Sequence, residues 1–284
     1  MDRPRPRCVP VVCSHPGLPV SKLIYVFLFL SALVASPAVQ HVPLSGYDGH
    51  TKAQIYQIIR RLQDGNLLWE ERDYKFPPQE KVHLLKPLEE PLSEAKDYGT
   101  RFGDMVSLMA GSGEYKGHDR ANLIIKNFYK SALHDTRRVA AILGEIHALK
   151  LKGDLVDFGM NVEGHPVIIM KRKEGSHLYE MEAFKNAEPE ERLRMVRQTL
   201  ALACGKTASE AVTYGFLHLD VHSANVLSDS EIKHVDLIDY GRIFFVDSTI
   251  RLKEYQPIFE KYCLFKLEFD WELMEIRGRK RETS

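Results

Sequence analysis

The chain has 284 residues, 44% of them hydrophobic and 27% charged, with 39 basic residues balancing 39 acidic ones. That composition can bury a sizeable core, and the length suits one two-lobed domain with an extension. A formal net charge of zero excludes a general nucleic-acid binder, which needs a basic excess against the phosphate backbone, so no nucleic-acid partner is expected.

In chain order, Arg3, Arg5, Arg7 and Lys22 precede an apolar run from Leu23 to Ala35, with small residues at Ala35, Ser36 and Ala38 as candidate cleavage positions. This is the layout of a secretory signal, and the run is shorter than the roughly 20 residues of a transmembrane helix. Residues 1–38 therefore read as a signal peptide or, given the long basic segment, as an uncleaved signal anchor. The protein is expected to be secreted or in the secretory-pathway lumen, and at a membrane only if the apolar segment is retained. Cys8 and Cys13 would leave with a cleaved signal. Cys204 and Cys263 remain, either paired in an oxidising compartment or as free thiols, with Cys204 at an apolar helical position. No cysteine spacing marks a metal site.

Residues 39–92 read as a linker followed by an N-terminal helix. Thr51 and Gln54 have the spacing of a capping box, and Ile55, Ile58, Ile59 and Leu62 follow as one apolar stripe, expected to pack on the rest of the protein. Pro77-Pro78 ends this region, and Pro87 and Pro91 keep the next segment extended or turned. Tyr98 to Val106 is a glycine-containing stretch, and Gly111-Ser112-Gly113 reads as a turn between strands. Ala121 to Phe128 reads as a buried strand whose apolar run is closed by Lys126. His134 to Leu151 has helical periodicity and carries Glu145. Leu155 to Val162 and His165 to Met170 form strand-like runs separated by the hairpin signal Glu163-Gly164. Pro189 to Tyr214 reads as a long helix, with Pro189 where a missing N–H costs nothing and Gly215 as its stop.

The chemistry gathers after that stop. Asp220 and Asn225 lie five apart in His218-Leu219-Asp220-Val221-His222-Ser223-Ala224-Asn225, and Asp239-Tyr240-Gly241 follows an expected strand from Ile232 to Ile238. Transfer of a γ-phosphoryl group needs a carboxylate to accept the proton of the attacking hydroxyl and oxygen ligands for Mg²⁺. Asp220 suits the first task, and Asn225 and Asp239 the second. His218 is expected to be a packing and hydrogen-bonding residue rather than a base.

At these residues the sequence resembles the protein-kinase-like superfamily, in which His-x-Asp-x-x-x-x-Asn is the catalytic loop and Asp-Phe-Gly the metal-binding turn. The resemblance covers about residues 93–250 and implies an α+β, two-lobed fold: a small antiparallel-sheet lobe over 93–170 that binds nucleotide, and a reduced helical catalytic lobe over 171–284. It implies that Gly99, Phe102 and Gly103 belong to a phosphate-covering loop, and that Lys126 holds the nucleotide phosphates. Glu145 would fix that lysine, the interval of 145 − 126 = 19 residues being the one expected of the pair. Met170 would open the hinge that meets adenine. ATP and Mg²⁺ are the implied cofactors, and the acceptor is a hydroxyl of a protein or small molecule.

Four departures qualify the resemblance. Arg101 replaces the middle glycine of the phosphate loop, and Tyr240 replaces the Phe of the metal-binding turn. His222 stands where ordinary protein kinases carry Lys, which is similar to the aminoglycoside and choline kinases; it is expected to donate to a phosphate oxygen, with a charge set by pH. No Ala-Pro-Glu motif follows, and residues 242–284 leave room for two or three helices. The sequence reading is an ATP- and Mg²⁺-dependent phosphotransferase acting through Asp220, His222, Lys126 and Glu145. A secreted pseudokinase acting as a binding or effector module is the alternative. Arg277 to Arg281 reads as a solvated basic tail.

Overall fold

The computed structural model describes residues 50–90, 92, 94–101, 104–267 and 271. The candidate signal segment with Cys8 and Cys13, Phe102, Gly103 and the basic tail lie outside the described residues. The architecture is α+β, with small antiparallel sheets and several helices.

Helix α1 (Lys52–Asp64) starts at the expected capping box, in which the Thr51 hydroxyl accepts from the Gln54 N–H and the Gln54 side chain accepts from the Thr51 N–H. Strand β1 (Leu68–Glu70) follows, then α2 (Pro78–Leu84). Strands β2 (Glu94–Arg101), β3 (Asp104–Met109), β4 (Glu114–Tyr115), β5 (His118–Asp119) and β6 (Leu123–Asn127) lead to α3 (Thr136–Lys152), capped by the Asp135 carboxylate. Next come β7 (Leu155–Met160), β8 (Pro166–Lys171), the short α4 (Glu182–Lys185) and α5 (Pro189–Tyr214). Strands β9 (Phe216–His218), β10 (Val226–Ser228), β11 (Val235–Leu237) and β12 (Ile243–Val246) precede a last helix, α6, over 256–267. Among the described residues, no helix is long and apolar enough to cross a membrane.

Five strands form an antiparallel sheet in the order β2-β3-β6-β8-β7, so β6 and β8 are central and bury both faces. Leu123, Ile125, Val167 and Ile169 fill one face, while Ile168 turns to the other and joins Ile142, Ile146 and Leu149 of α3. Each such fully buried aliphatic side chain contributes about 1.5–3 kcal/mol of transfer free energy. The same core continues to Leu200 and Ala203 of α5 and to Trp271, whose indole N–H donates to the Val221 carbonyl at 2.8 Å. Cys204 and Cys263 are joined as a disulfide with Cα atoms 5.4 Å apart, which ties α5 to α6 and excludes the free-thiol alternative.

Two sequence expectations are corrected. The strand expected from Ile232 to Ile238 shrinks to Val235–Leu237, because the Asp229 carboxylate accepts from the N–H groups of Lys233 and His234 and holds Ile232 in a left-handed turn at φ 54°. After Gly241 comes not a helix but β12, the middle strand of a second sheet, β1-β12-β9. Its four residues are all buried, and β1 from the N-terminal region pairs with it antiparallel. The segment read as linker and N-terminal helix is thus built into the fold from α1 onward: Ile55 and Ile59 pack with Leu217, Phe244, Ile258 and Phe259. Tyr74 stacks on Phe245 with ring centroids 3.7 Å apart.

Candidate active site

Three elements deliver the charged groups. Strand β6 is held on both edges by β3 and β8, and its Lys126 is 5% exposed. Helix α3 presents Glu145, which is 1% exposed, immediately after Gly144, where an added Cβ would lie a tight 3.3 Å from Glu71 and in ordinary contact with Ile243 at 3.7 Å. That glycine lets α3 sit close to β12. The chain leaving β11 turns sharply at Asp239, whose left-handed backbone (φ 61°) is tolerated by Asp better than by bulkier residues.

The Lys126 amine donates to Glu145 Oε2 and to Asp239 Oδ1, each at 2.8 Å. Burial opposes its charge, but the two carboxylates outweigh burial and raise its pKa. Burial likewise raises the Asp239 pKa, yet Lys126 and the Gly241 N–H lower it further, so the carboxylate is charged at neutral pH. The Asp239 side chain is 48% exposed. A buried cation therefore fixes a carboxylate that still faces outward. A cavity of about 160 Å³ opens here, lined by Lys126, Arg138, Glu145, Asp239 and Gly241 among others.

The loop carrying Asp220 is braced from α5 and β11. Gly215 ends α5 in a left-handed conformation (φ 86°), and the Arg251 guanidinium fills the space where a side chain would stand. His218 is buried. Its Nδ1 accepts from the Asp220 N–H at 3.1 Å, and its Nε2–H donates to the Ile238 carbonyl at 3.0 Å. Burial pushes its pKa down to about 4, so the ring is a neutral strut between the loop and the Asp239 turn. The Asn225 amide donates to the Asp220 carbonyl at 2.9 Å, which assigns its Nδ2 and leaves Oδ1 as an acceptor. His222 Nδ1 accepts from the Ala224 N–H at 3.2 Å, which puts the ring proton on Nε2, 3.8 Å from Asp220 Oδ2.

Comparison with protein-family models finds no match, and comparison with curated proteins finds none. The site therefore stands on its own geometry.

Of the residues singled out in sequence, Lys126, Glu145 and Asp239 meet directly, and Asp220, His222 and Asn225 share one loop braced to the same turn by His218. Met170 is half-buried on β8, two residues beyond Ile168, which pairs with Lys126; the next two N–H groups, of Lys171 and Arg172, bond the carbonyls of Asp154 and Asn122. Gly99 lies within β2, and Phe102 and Gly103 are outside the described residues. Among the described residues, no group of three or more His, Cys, Asp or Glu side chains forms a metal cage. The Asp239 carboxylate and Asn225 Oδ1 are hard oxygen donors of the kind Mg²⁺ takes alongside phosphate oxygens and water.

Sequence reasoning passed over Arg138, Arg242, Lys266 and a second charged cluster. Lys152 donates to Glu210 Oε1 at 2.6 Å and contacts the Tyr240 hydroxyl, which lies 3.2 Å from Glu210 Oε1 and 3.0 Å from the Leu237 carbonyl. The signal in sequence was Tyr240 itself, since a buried phenol hydroxyl needs a polar partner. A separate cavity of about 1330 Å³ is lined by Glu174, Glu180, Asp236 and Glu260 among others, but by none of Asp220, His222, Asn225 or Asp239.

Proposed function

We propose that the protein is an ATP- and Mg²⁺-dependent phosphotransferase of the protein-kinase-like kind, acting on a hydroxyl acceptor. The observation that carries the reading is the Lys126 amine held at 2.8 Å from both Glu145 and Asp239, which places a fixed cation beside an outward-facing carboxylate. In this reading the five-stranded sheet with α3 is the small nucleotide lobe. The helical lobe, built on α5, carries the catalytic loop.

Mg²⁺, when bound by Asp239 and Asn225, supplies charge neutralisation on the transferred phosphates. Lys126 orients those phosphates, and Glu145 keeps the lysine in place. Asp220 accepts the proton of the acceptor hydroxyl as its oxygen attacks the γ-phosphorus and the bond to the leaving ADP oxygen breaks. His222 Nε2–H is placed on the Asp220 side of the loop, where it donates to a phosphoryl oxygen. Catalysis then comes from positioning and electrostatics. A secreted or lumenal location is consistent with the Cys204–Cys263 disulfide, because such bonds persist in oxidising compartments.

The test is Mg²⁺-dependent ATP turnover by the full chain beside an Asp239→Asn variant. Turnover in the first and its loss in the second is expected. Mg·ATP binding without turnover toward any acceptor would leave the binding-module alternative, and absence of Mg·ATP binding would end the phosphotransferase reading.

A further inference from the structure

The acceptor's charge can be read from what surrounds Asp220. Arg242 Nη1 lies 3.9 Å from Asp220 Oδ1, and His222 Nε2 lies 3.8 Å from Oδ2. From a separate element, α6, the Lys266 amine donates to the carbonyl of Leu219, the residue before Asp220, at 3.2 Å. Lys266 is half-buried, and among the described residues no carboxylate lies within ion-pair distance of it. Burial, then the nearby charge of Arg242, push its pKa down, against weaker opposing pulls from Asp220 and Glu70. Glu70 is engaged by Arg72 at 2.8 Å. Arg242 thus lies beside the Asp220 carboxylate, while Lys266 is held next to the residue before it, bonded to the Leu219 carbonyl and with its amine 6.0 Å from the Tyr262 ring centroid. A desolvated cation in that position is costly until an anion completes it.

We propose that the acceptor is anionic, with a carboxylate or phosphate beside the hydroxyl that receives the phosphoryl group, held by Arg242 and Lys266. The inference rests on the phosphotransferase reading and adds the acceptor class to it. Arg242 is 63% exposed, so its guanidinium fork is free to swing from Asp220 to an incoming anion, which it matches in a bidentate way. Lys266 supplies a point charge held by the Leu219 carbonyl beside the same loop. A cationic acceptor, as His222 in the aminoglycoside- and choline-kinase pattern suggests, would meet two like charges here. The acidic cavity that would suit such an acceptor is lined by residues away from Asp220.

The experiment uses the full chain and first measures Mg·ATP binding. Transfer from labelled ATP is then followed to four probes: a serine peptide flanked by Glu, its Lys-flanked counterpart, a hexose monophosphate and choline. Transfer to the acidic peptide or to the sugar phosphate is expected, and which one responds tells a protein acceptor from a metabolite. Arg242→Gln and Lys266→Met should each raise the KM of that acceptor about ten-fold and leave the KM for ATP within about two-fold; Lys266→Arg should restore the acceptor KM, and Arg242→Lys should restore only part of it, because it keeps the charge and loses the fork. Preference for the Lys-flanked peptide or choline overturns the inference, as does bound Mg·ATP with no transfer to either anionic probe. A rise in the KM for ATP instead of the acceptor also overturns it, because the cations would then serve the transferred group. Failure of the wild type to bind Mg·ATP removes the underlying reading as well.

Discussion

Two lysine–carboxylate clusters grip consecutive residues of one turn, one open to solvent and one closed. Lys126 and Glu145 hold Asp239, whose carboxylate is half open to solvent. Seven residues further along α3, Lys152 joins Glu210 of α5 in holding Tyr240, and every member of that cluster is buried. In the closed cluster burial raises the Glu210 pKa and the Tyr240 pKa, and the hydrogen bonds are spent within the protein. In the open one a carboxylate is fixed on one side and available on the other. The same charge chemistry therefore yields a structural pin where water is excluded and a site able to take a ligand where it is not. Helix α3 belongs to both, so the pin also steadies Glu145 and Asp239.

The sharpest way to break the comparison is to remove one group from each cluster. Asp239→Asn is expected to cut ATP turnover by on the order of 10³-fold, the scale of losing a group that acts on transition-state charge. Tyr240→Phe keeps the ring and is expected to hold turnover within about ten-fold, while costing roughly 1–2 kcal/mol in a urea titration through the buried hydrogen bonds that Glu210 and the Leu237 carbonyl lose. Equal kinetic losses in the two variants would erase the distinction between site and pin.

The helix that carries Glu210 is also tied to α6 by the Cys204–Cys263 bond, which closes a 59-residue separation. Replacing both cysteines by Ala is expected to lower stability by up to about 4 kcal/mol, the loop-closure value for that length. The loss should be read by urea unfolding with Mg·ATP affinity measured in parallel. Affinity should change little, because the bond backs the closed cluster.

Lys152→Met leaves Glu210 buried without its cation and should cost about 3 kcal/mol. Lys126→Met likewise leaves the buried Glu145 without that cation and should cost a comparable amount, and it should in addition abolish nucleotide binding. Circular dichroism melts beside equilibrium nucleotide titration separate the two outcomes.

His218 bridges the Asp220 loop to Ile238, next to the open cluster, and gives the smallest effect. Its folded pKa of about 4 lies below the usual 6.5, so the unfolded chain takes the proton first. Stability is then full above pH 6.5 and falls as pH drops toward 4, by roughly 2 kcal/mol at pH 5. His147, also depressed by burial, contributes in the same direction. A His218→Gln variant should show a shallower slope between pH 6.5 and 5, measured by chemical unfolding.

Much of this was legible in sequence where a local rule acts alone. Thr51 with Gln54 set the start of α1, and Pro189 and Gly215 bounded α5, because capping and proline effects are short-range; the meeting of Lys126 with Glu145 was expected only from the interval that the family resemblance implies. The rest depended on pairing across long separations. β12 has four buried residues and no alternation to betray it, and its pairing with β9 and with β1, some 175 residues earlier, makes it a strand. Asp229 shortened β11 by taking two backbone N–H groups that a ladder would have used. The closed cluster escaped because Lys152, Glu210 and Tyr240 are far apart in the chain, and each alone reads as an ordinary residue of its element. The placing of Arg242 and Lys266 beside the Asp220 loop escaped for the same reason.

The most direct measurement is equilibrium binding of ATP, with and without Mg²⁺, to the full wild-type chain, Asp239→Asn and Tyr240→Phe. The account predicts Mg²⁺-enhanced binding in the wild type, lost in Asp239→Asn and kept in Tyr240→Phe. Binding indifferent to Mg²⁺, or unchanged by Asp239→Asn, would contradict it.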